Sequence, residues 1–213
     1  MPPTSGIRGA IDTAPRPVPA WSMAISLHIT GDAAADELLS TDPFALMIGM
    51  LLDQQIAMET AFEGPKKILD RVGALDPHTL ASYDPEAFVE LFRQTPAVHR
   101  YPGSMAARVQ ALSAAIESEW GGDVSQLWTR DTPDAPTLLK RLEALPGFGK
   151  QKARIFVALL GKQYGVTPAG WRQAAGPYGE EGSFRSVADI VDADSLTRVR
   201  ETKRAAKAAA KQA

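Results

Sequence analysis

The run from Phe44 to Leu52 reads FALMIGMLL, apolar at nearly every position. A helix built from it has no polar side to turn to water, so it has to sit at the centre of other elements. Thr41-Asp42-Pro43 supplies its start, with Asp42 as N-cap and Pro43 at the first helical position. The helix is expected to run from Phe44 to Gln55. Everything else in the chain is constrained by the need to surround it.

The surrounding pattern is helical too. Short helices are expected over Ala33–Leu39 and after Asp76-Pro77 and Asp84-Pro85, by the same capping chemistry. A longer one spans about Met58–Val72, with Gly64-Pro65 expected to break or kink it and Gly73 to stop it. Further helices are expected over Ser104–Trp120, Thr137–Ala144 and Lys150–Tyr164, and a last one capped by Asp194. Residues 165–184 are rich in glycine and read as irregular. One segment, Trp21–Thr30 (WSMAISLHIT), alternates as a strand does, before Gly31-Asp32 turns the chain. The first 20 residues hold five of the 16 prolines and read as a disordered arm. The organisation expected is an arm over 1–20, a helical domain over 21–197 and a basic tail over 198–213. The fold class is all-α with a short N-terminal strand.

Composition excludes several chemistries. With no cysteine among 213 residues there is no disulfide, no thiolate zinc site, no cysteine nucleophile and no cysteine-held iron–sulfur cluster. Three dispersed histidines (His28, His78, His99) make a poor metal set. No window approaches a membrane span. The net charge of −2 is unevenly spread. Arg198–Ala213 carries six basic residues against Glu201 alone, which leaves the remainder at −7; the run reads equally as a solvated helix or as a source of sequence-independent phosphate contacts. A nucleic-acid partner would have to be met by local basic patches.

One such patch surrounds a tight turn. Leu139, Leu142 and Leu145 mark the buried face of one helix; Ala153, Phe156, Val157 and Leu160 mark that of the next. Between them lies Leu145-Pro146-Gly147-Phe148-Gly149. Pro146 stops the first helix, and the two glycines strip the tip of side chains. The second helix then opens with backbone N–H groups that lack intrahelical partners, which suits a phosphate. Lys140–Tyr164 carries six basic residues and one acid, Glu143. Main-chain donors with a few cations read a nucleic-acid backbone rather than its sequence. A plain helical hairpin is the alternative.

The string LPGFGKQKA, Leu145 to Ala153, resembles the helix-hairpin-helix of the HhH-GPD base-excision repair DNA glycosylase superfamily, whose pattern is LPG-hydrophobic-G-x-x-x-A. About 90 residues upstream, Leu51-Leu52-Asp53-Gln54-Gln55-Ile56 resembles the "LGQQ" segment of the 3-methyladenine glycosylase II-like group. The resemblance covers about residues 35–165. It implies an all-α fold of two helical lobes with a cleft between them, into which a damaged base is flipped. It implies that Gly147, Phe148, Gly149, Lys150 and Lys152 hold the DNA backbone, that hairpin carbonyls hold a monovalent cation (K⁺ or Na⁺), and that Gln55, with Gln54, enters the gap in the duplex. No other cofactor is implied. The partner it implies is double-stranded DNA with a damaged or mispaired base, met by a monomer; the absence of cysteine and of a targeting segment fits a bacterial cytoplasm, with the protein expected at the nucleoid.

Two catalytic positions of the family are not matched. Where bifunctional members place a lysine nucleophile this chain has Gln151, and an amide forms no Schiff base. Lys150 and Lys152 flank it and are expected to point to other faces of the helix. The family aspartate, about 18 residues further on, falls at Ala169-Gly170-Trp171, and no acid occurs between Leu145 and Gly179. An oxocarbenium-like state calls for a carboxylate. Asp53, beside the glutamine pair, is the first candidate; Glu59, Glu180, Glu181, Asp189 and Asp192 are the others. Trp171, Tyr178, Tyr101 and His99 are candidate base-pocket residues by stacking, or else anchors for their loops. The reading is a monofunctional glycosylase; the alternative is a non-catalytic protein of glycosylase descent that binds distorted or damaged DNA.

Overall fold

The structure, a computed structural model, describes residues 25–209. The arm expected over 1–20 lies outside the described residues, as does the start of the expected strand. Eleven α-helices follow in order: α1 (Ala33–Thr41), α2 (Pro43–Leu52), α3 (Met58–Val72), α4 (Pro77–Ser82), α5 (Pro85–Arg93), α6 (Pro102–Trp120), α7 (Gln126–Thr129), α8 (Ala135–Glu143), α9 (Lys150–Gln163), α10 (Trp171–Ala175) and α11 (Ala193–Ala209). The all-α class holds.

Helix α2 is buried from Phe44 to Leu52, as its lack of a polar face requires. It packs against α1, α3, α6 and α9. Four Asp-X starts are made alike. The carboxylates of Asp42, Asp76, Asp84 and Asp134 accept the N–H groups of Phe44, Thr79, Ala87 and Thr137 at 2.8–2.9 Å. The caps explain why so many short helices survive in one chain: each orphaned first turn has an acceptor next to it.

Several expectations are corrected. No strand occurs among the described residues. The alternation at the N-terminus is real, with Leu27 and Ile29 buried and Ser26 and His28 exposed. The backbone, however, is held by helix side chains rather than by a second strand. Leu27 N–H donates to Ser40 Oγ, and Ile29 and Thr30 N–H both donate to Asp36 Oδ1. Helix α3 passes through Gly64-Pro65 unbroken. Both residues are buried, and Leu52 fills the space a Gly64 side chain would need, so packing outweighs the lost proline N–H. Residues 165–184 are not wholly irregular: they contain α10 and a 3₁₀ turn, Gly176–Tyr178. The last helix takes its cap from Asp192, not Asp194, through the Ser195 N–H at 2.7 Å.

The segment after α10 is fastened to α9 by one buried ion pair. Lys162 Nζ lies 2.5 Å from Asp189 Oδ1, and the aspartate also accepts the N–H groups of Arg185 and Ser186. This places residues 176–190 alongside α9 and launches α11 back toward the α2–α3 junction.

Candidate nucleic-acid interface

The turn between α8 and α9 is built as its sequence suggests. Gly147 adopts a φ of +80°, in the left-handed region. A Cβ built there would overlap Leu51 Cδ1, so the hairpin tip is seated directly on the end of α2. Gly149 is extended (φ −79°, ψ 173°), and a Cβ there would meet nothing within 4 Å. The first backbone bond into α9 runs from Ala153 N–H to Gly149 C=O. The N–H groups of Lys150, Gln151 and Lys152 precede it, and no side chain caps them. The hairpin end therefore presents main-chain donors and the exposed Lys150.

Phe148 is a correction. Its ring is 2% exposed and meets Phe156 edge to face at 5.7 Å, while its N–H is used by Leu145 C=O. Its side chain supports the turn from beneath and does not face outward. Lys152 is another. It points to a different partner from that of Gln151, as expected, but into the cleft rather than outward, and it donates to Met50 and Leu51 C=O at 2.7 and 2.5 Å. Burial lowers its amine to about 8, against the pull of Asp53 toward the charged form.

The α2–α3 loop sits beside this contact. Gln54 is folded back: its Nε2 donates to Leu51 C=O at 2.8 Å and its Oε1 accepts from Arg108 at 2.8 Å. Gln55 is exposed, with φ +59°, a left-handed conformation that a glutamine rarely takes. His99 holds the loop from below. It is 2% exposed, its Nε2 lies 3.1 Å from Gln54 C=O, and its Nδ1 accepts the Tyr101 N–H at 3.0 Å. This pattern belongs to the neutral ring with its proton on Nε2.

Burial lowers the His99 pKa below its ordinary value of 6.5. Below about pH 6.5 the unfolded chain then binds a proton that the folded one resists, so stability falls as pH drops through the depressed value. Melting of the protein between about pH 7.5 and 5 is expected to show a decline that His99→Gln removes. An identical decline in the variant would assign it to other groups.

Around these elements opens a cleft of about 1040 Å³. Its walls come from the α2–α3 loop (Asp53, Gln55), from α9 (Gln151, Lys152), from Tyr178 and Arg185, and from α11. Gln151 Nε2 donates to Tyr178 Oη at 2.9 Å. Asp53 ends α2, its side chain 16% exposed and 3.4 Å from Lys203 Nζ. Glu59, 15% exposed, pairs with Arg200. The cleft thus holds two carboxylates, each against a cation of α11.

The other candidates lie elsewhere. Trp171 stacks on the bare face that Gly161 leaves on α9, with the Arg172 guanidinium 4.5 Å above it. His99 is buried under the glutamine loop. Tyr101 is 41% exposed beside it, its ring 6.0 Å from that of His99. None of the three lines the cleft. Glu180 and Glu181 pair with Arg185 and Arg172, Asp189 is the buried anchor, and Asp192 is a cap. Among the described residues no group of three histidines or carboxylates is placed to hold a metal ion, and no helix is long and apolar enough to cross a membrane.

Sequence reasoning missed Arg185, Arg200, Lys203, Arg204 and Lys207 as cleft residues. The basic run was visible, but its position depends on how the Asp189 anchor aims α11. Comparison with known proteins gives one family, described as HhH-GPD superfamily base excision DNA repair protein, whose pattern matches residues 48–212. No curated protein matches the chain.

Proposed function

The chain belongs to the HhH-GPD superfamily of base excision DNA repair proteins, and on that premise we propose that it is a monofunctional DNA glycosylase, akin to the 3-methyladenine glycosylase II-like group and active as a monomer. Base excision of the DNA glycosylase type is the function this family carries, and DNA is its partner. The finer reading is supported by one observation above the others: Asp53, at the end of the buried helix, enters the cleft beside the exposed, left-handed Gln55.

In this reading the uncapped N–H groups of α9 and Lys150 grip a phosphate of damaged duplex. The carbonyls of Pro146 and Gly147 accept none of the backbone bonds of the turn, which suits a monovalent cation there. Gln55 enters the gap left by the flipped nucleotide. The base occupies the cleft, and the Asp53 carboxylate stabilises positive charge on the sugar as the glycosidic bond breaks. Water attacks the sugar. Gln151 cannot form a Schiff base, and the amine of Lys152 is committed to two carbonyls.

The test is to incubate the protein with alkylated, deaminated and oxidised DNA and to identify free bases by mass spectrometry. A released base with the strand intact, and no adduct trapped by borohydride, is the expected result. A trapped adduct would make it a lyase. Binding without release would favour the non-catalytic reading, which the lack of any acid from Leu145 to Gly179 supports.

A further inference from the structure

Helix α11 turns a charged stripe to the cleft. Its first turns behave normally: Leu196 and Val199 are buried, and Arg198 lies over the Phe184 ring at 3.6 Å. From Arg200 to Ala209 every residue is exposed, so burial does not hold these turns in place. A helix of this kind ordinarily turns its charges to water. Here Arg200, Lys203, Arg204 and Lys207, at i, i+3, i+4 and i+7, form one stripe, and all four line the cleft. With Lys152 and Arg185 they bring six cations to a cavity that holds two carboxylates. Those carboxylates take Arg200 and Lys203. Among the described residues, no carboxylate pairs with Arg204 or Lys207.

We propose that α11 is a second backbone-binding arm, with Arg204 and Lys207 contacting phosphates of the duplex that the hairpin grips across the cleft. The occupant follows from charge. A cationic stripe along the cleft needs an anionic partner, and the axial separation of Arg204 and Lys207, about 4.5 Å, is close to the rise of about 3.4 Å between successive phosphates of one strand. It shares the cavity with Gln55 and Gln151, so one duplex reaches both. This inference rests on the reading of the chain as a DNA-binding glycosylase.

The test is the salt dependence of duplex binding, followed by fluorescence anisotropy with an undamaged duplex. Arg204→Gln with Lys207→Gln keeps helix propensity and disturbs no buried contact. The slope of log K against log salt is expected to fall in magnitude by about 2, with binding more than about tenfold weaker at 0.1 M salt. Lys66→Gln with Arg93→Gln removes the same charge outside the cleft and should leave the slope unchanged. A wild-type slope in the α11 variant would overturn the arm while leaving the glycosylase reading in place. A fall of equal size in both variants would also overturn it, as an effect of bulk charge. Failure of the wild-type protein to bind duplex would remove both readings.

Discussion

Gly147→Val is expected to cost about 2–6 kcal/mol of stability, whereas Gly149→Leu, two residues away, costs little and weakens duplex binding. The first loss has two parts. A β-branched residue held at φ +80° is strained by about 1–3 kcal/mol. Its side chain must also displace Leu51, a fully buried residue of the central helix, for about 1–3 kcal/mol more. That is a large share of the stability of an ordinary domain. At Gly149 the backbone is extended and the space is empty, so the fold tolerates a side chain. The leucine instead stands over the free N–H groups of α9 and holds a phosphate away. Affinity should fall about 10- to 100-fold, the worth of a charge-assisted hydrogen bond or two. Thermal melting separates the two variants, and anisotropy with a duplex reads the second. Normal binding by a folded Gly149→Leu protein would show that the hairpin serves only as structure.

Asp53→Asn is expected to lower base release by about 10²- to 10³-fold and to change duplex affinity by less than about threefold. The amide keeps the size and hydrogen-bonding reach of the carboxylate but not the charge that a cationic sugar needs. Lys203 loses its acid partner and stays available to phosphate, so binding does not suffer. Single-turnover release with a saturating substrate isolates the chemical step. Full activity in the variant would move the role to Glu59, the other carboxylate of the cleft, where Glu59→Gln is then the decisive change.

The sequence was legible wherever one residue type has one local use. The Asp-Pro starts of α2, α4 and α5, the apolar surface of α2 and the turn at Gly147 all follow from short-range chemistry and reappear in the structure. The hairpin and the glutamine pair also carried the family. Two kinds of feature escaped. The segment at 25–30 has a strand's alternation, and only the positions of Asp36 and Ser40 show that side chains satisfy its backbone. The cleft walls escaped for a similar reason: Lys152 meets residues about 100 positions earlier, and Lys203 meets one 150 positions earlier. A run of alanine and lysine reads equally as a solvated helix or as a set of phosphate contacts until its direction is known, and that direction depends on the Lys162–Asp189 pair.

The contact between the hairpin and α2 has a mechanical meaning. Gly147 rests on Leu51, and Lys152 is bonded to the carbonyls of Met50 and Leu51, one turn before Gln55. On the proposed reading, the element that grips the backbone and the element that probes the base stack therefore move as a single part. Along a duplex such a part works as a fixed-offset gauge: wherever the grip lands, the probe falls the same number of nucleotides away. Search then needs no loop to be repositioned at each step, and the nucleotide under test is selected by the rigidity of one junction.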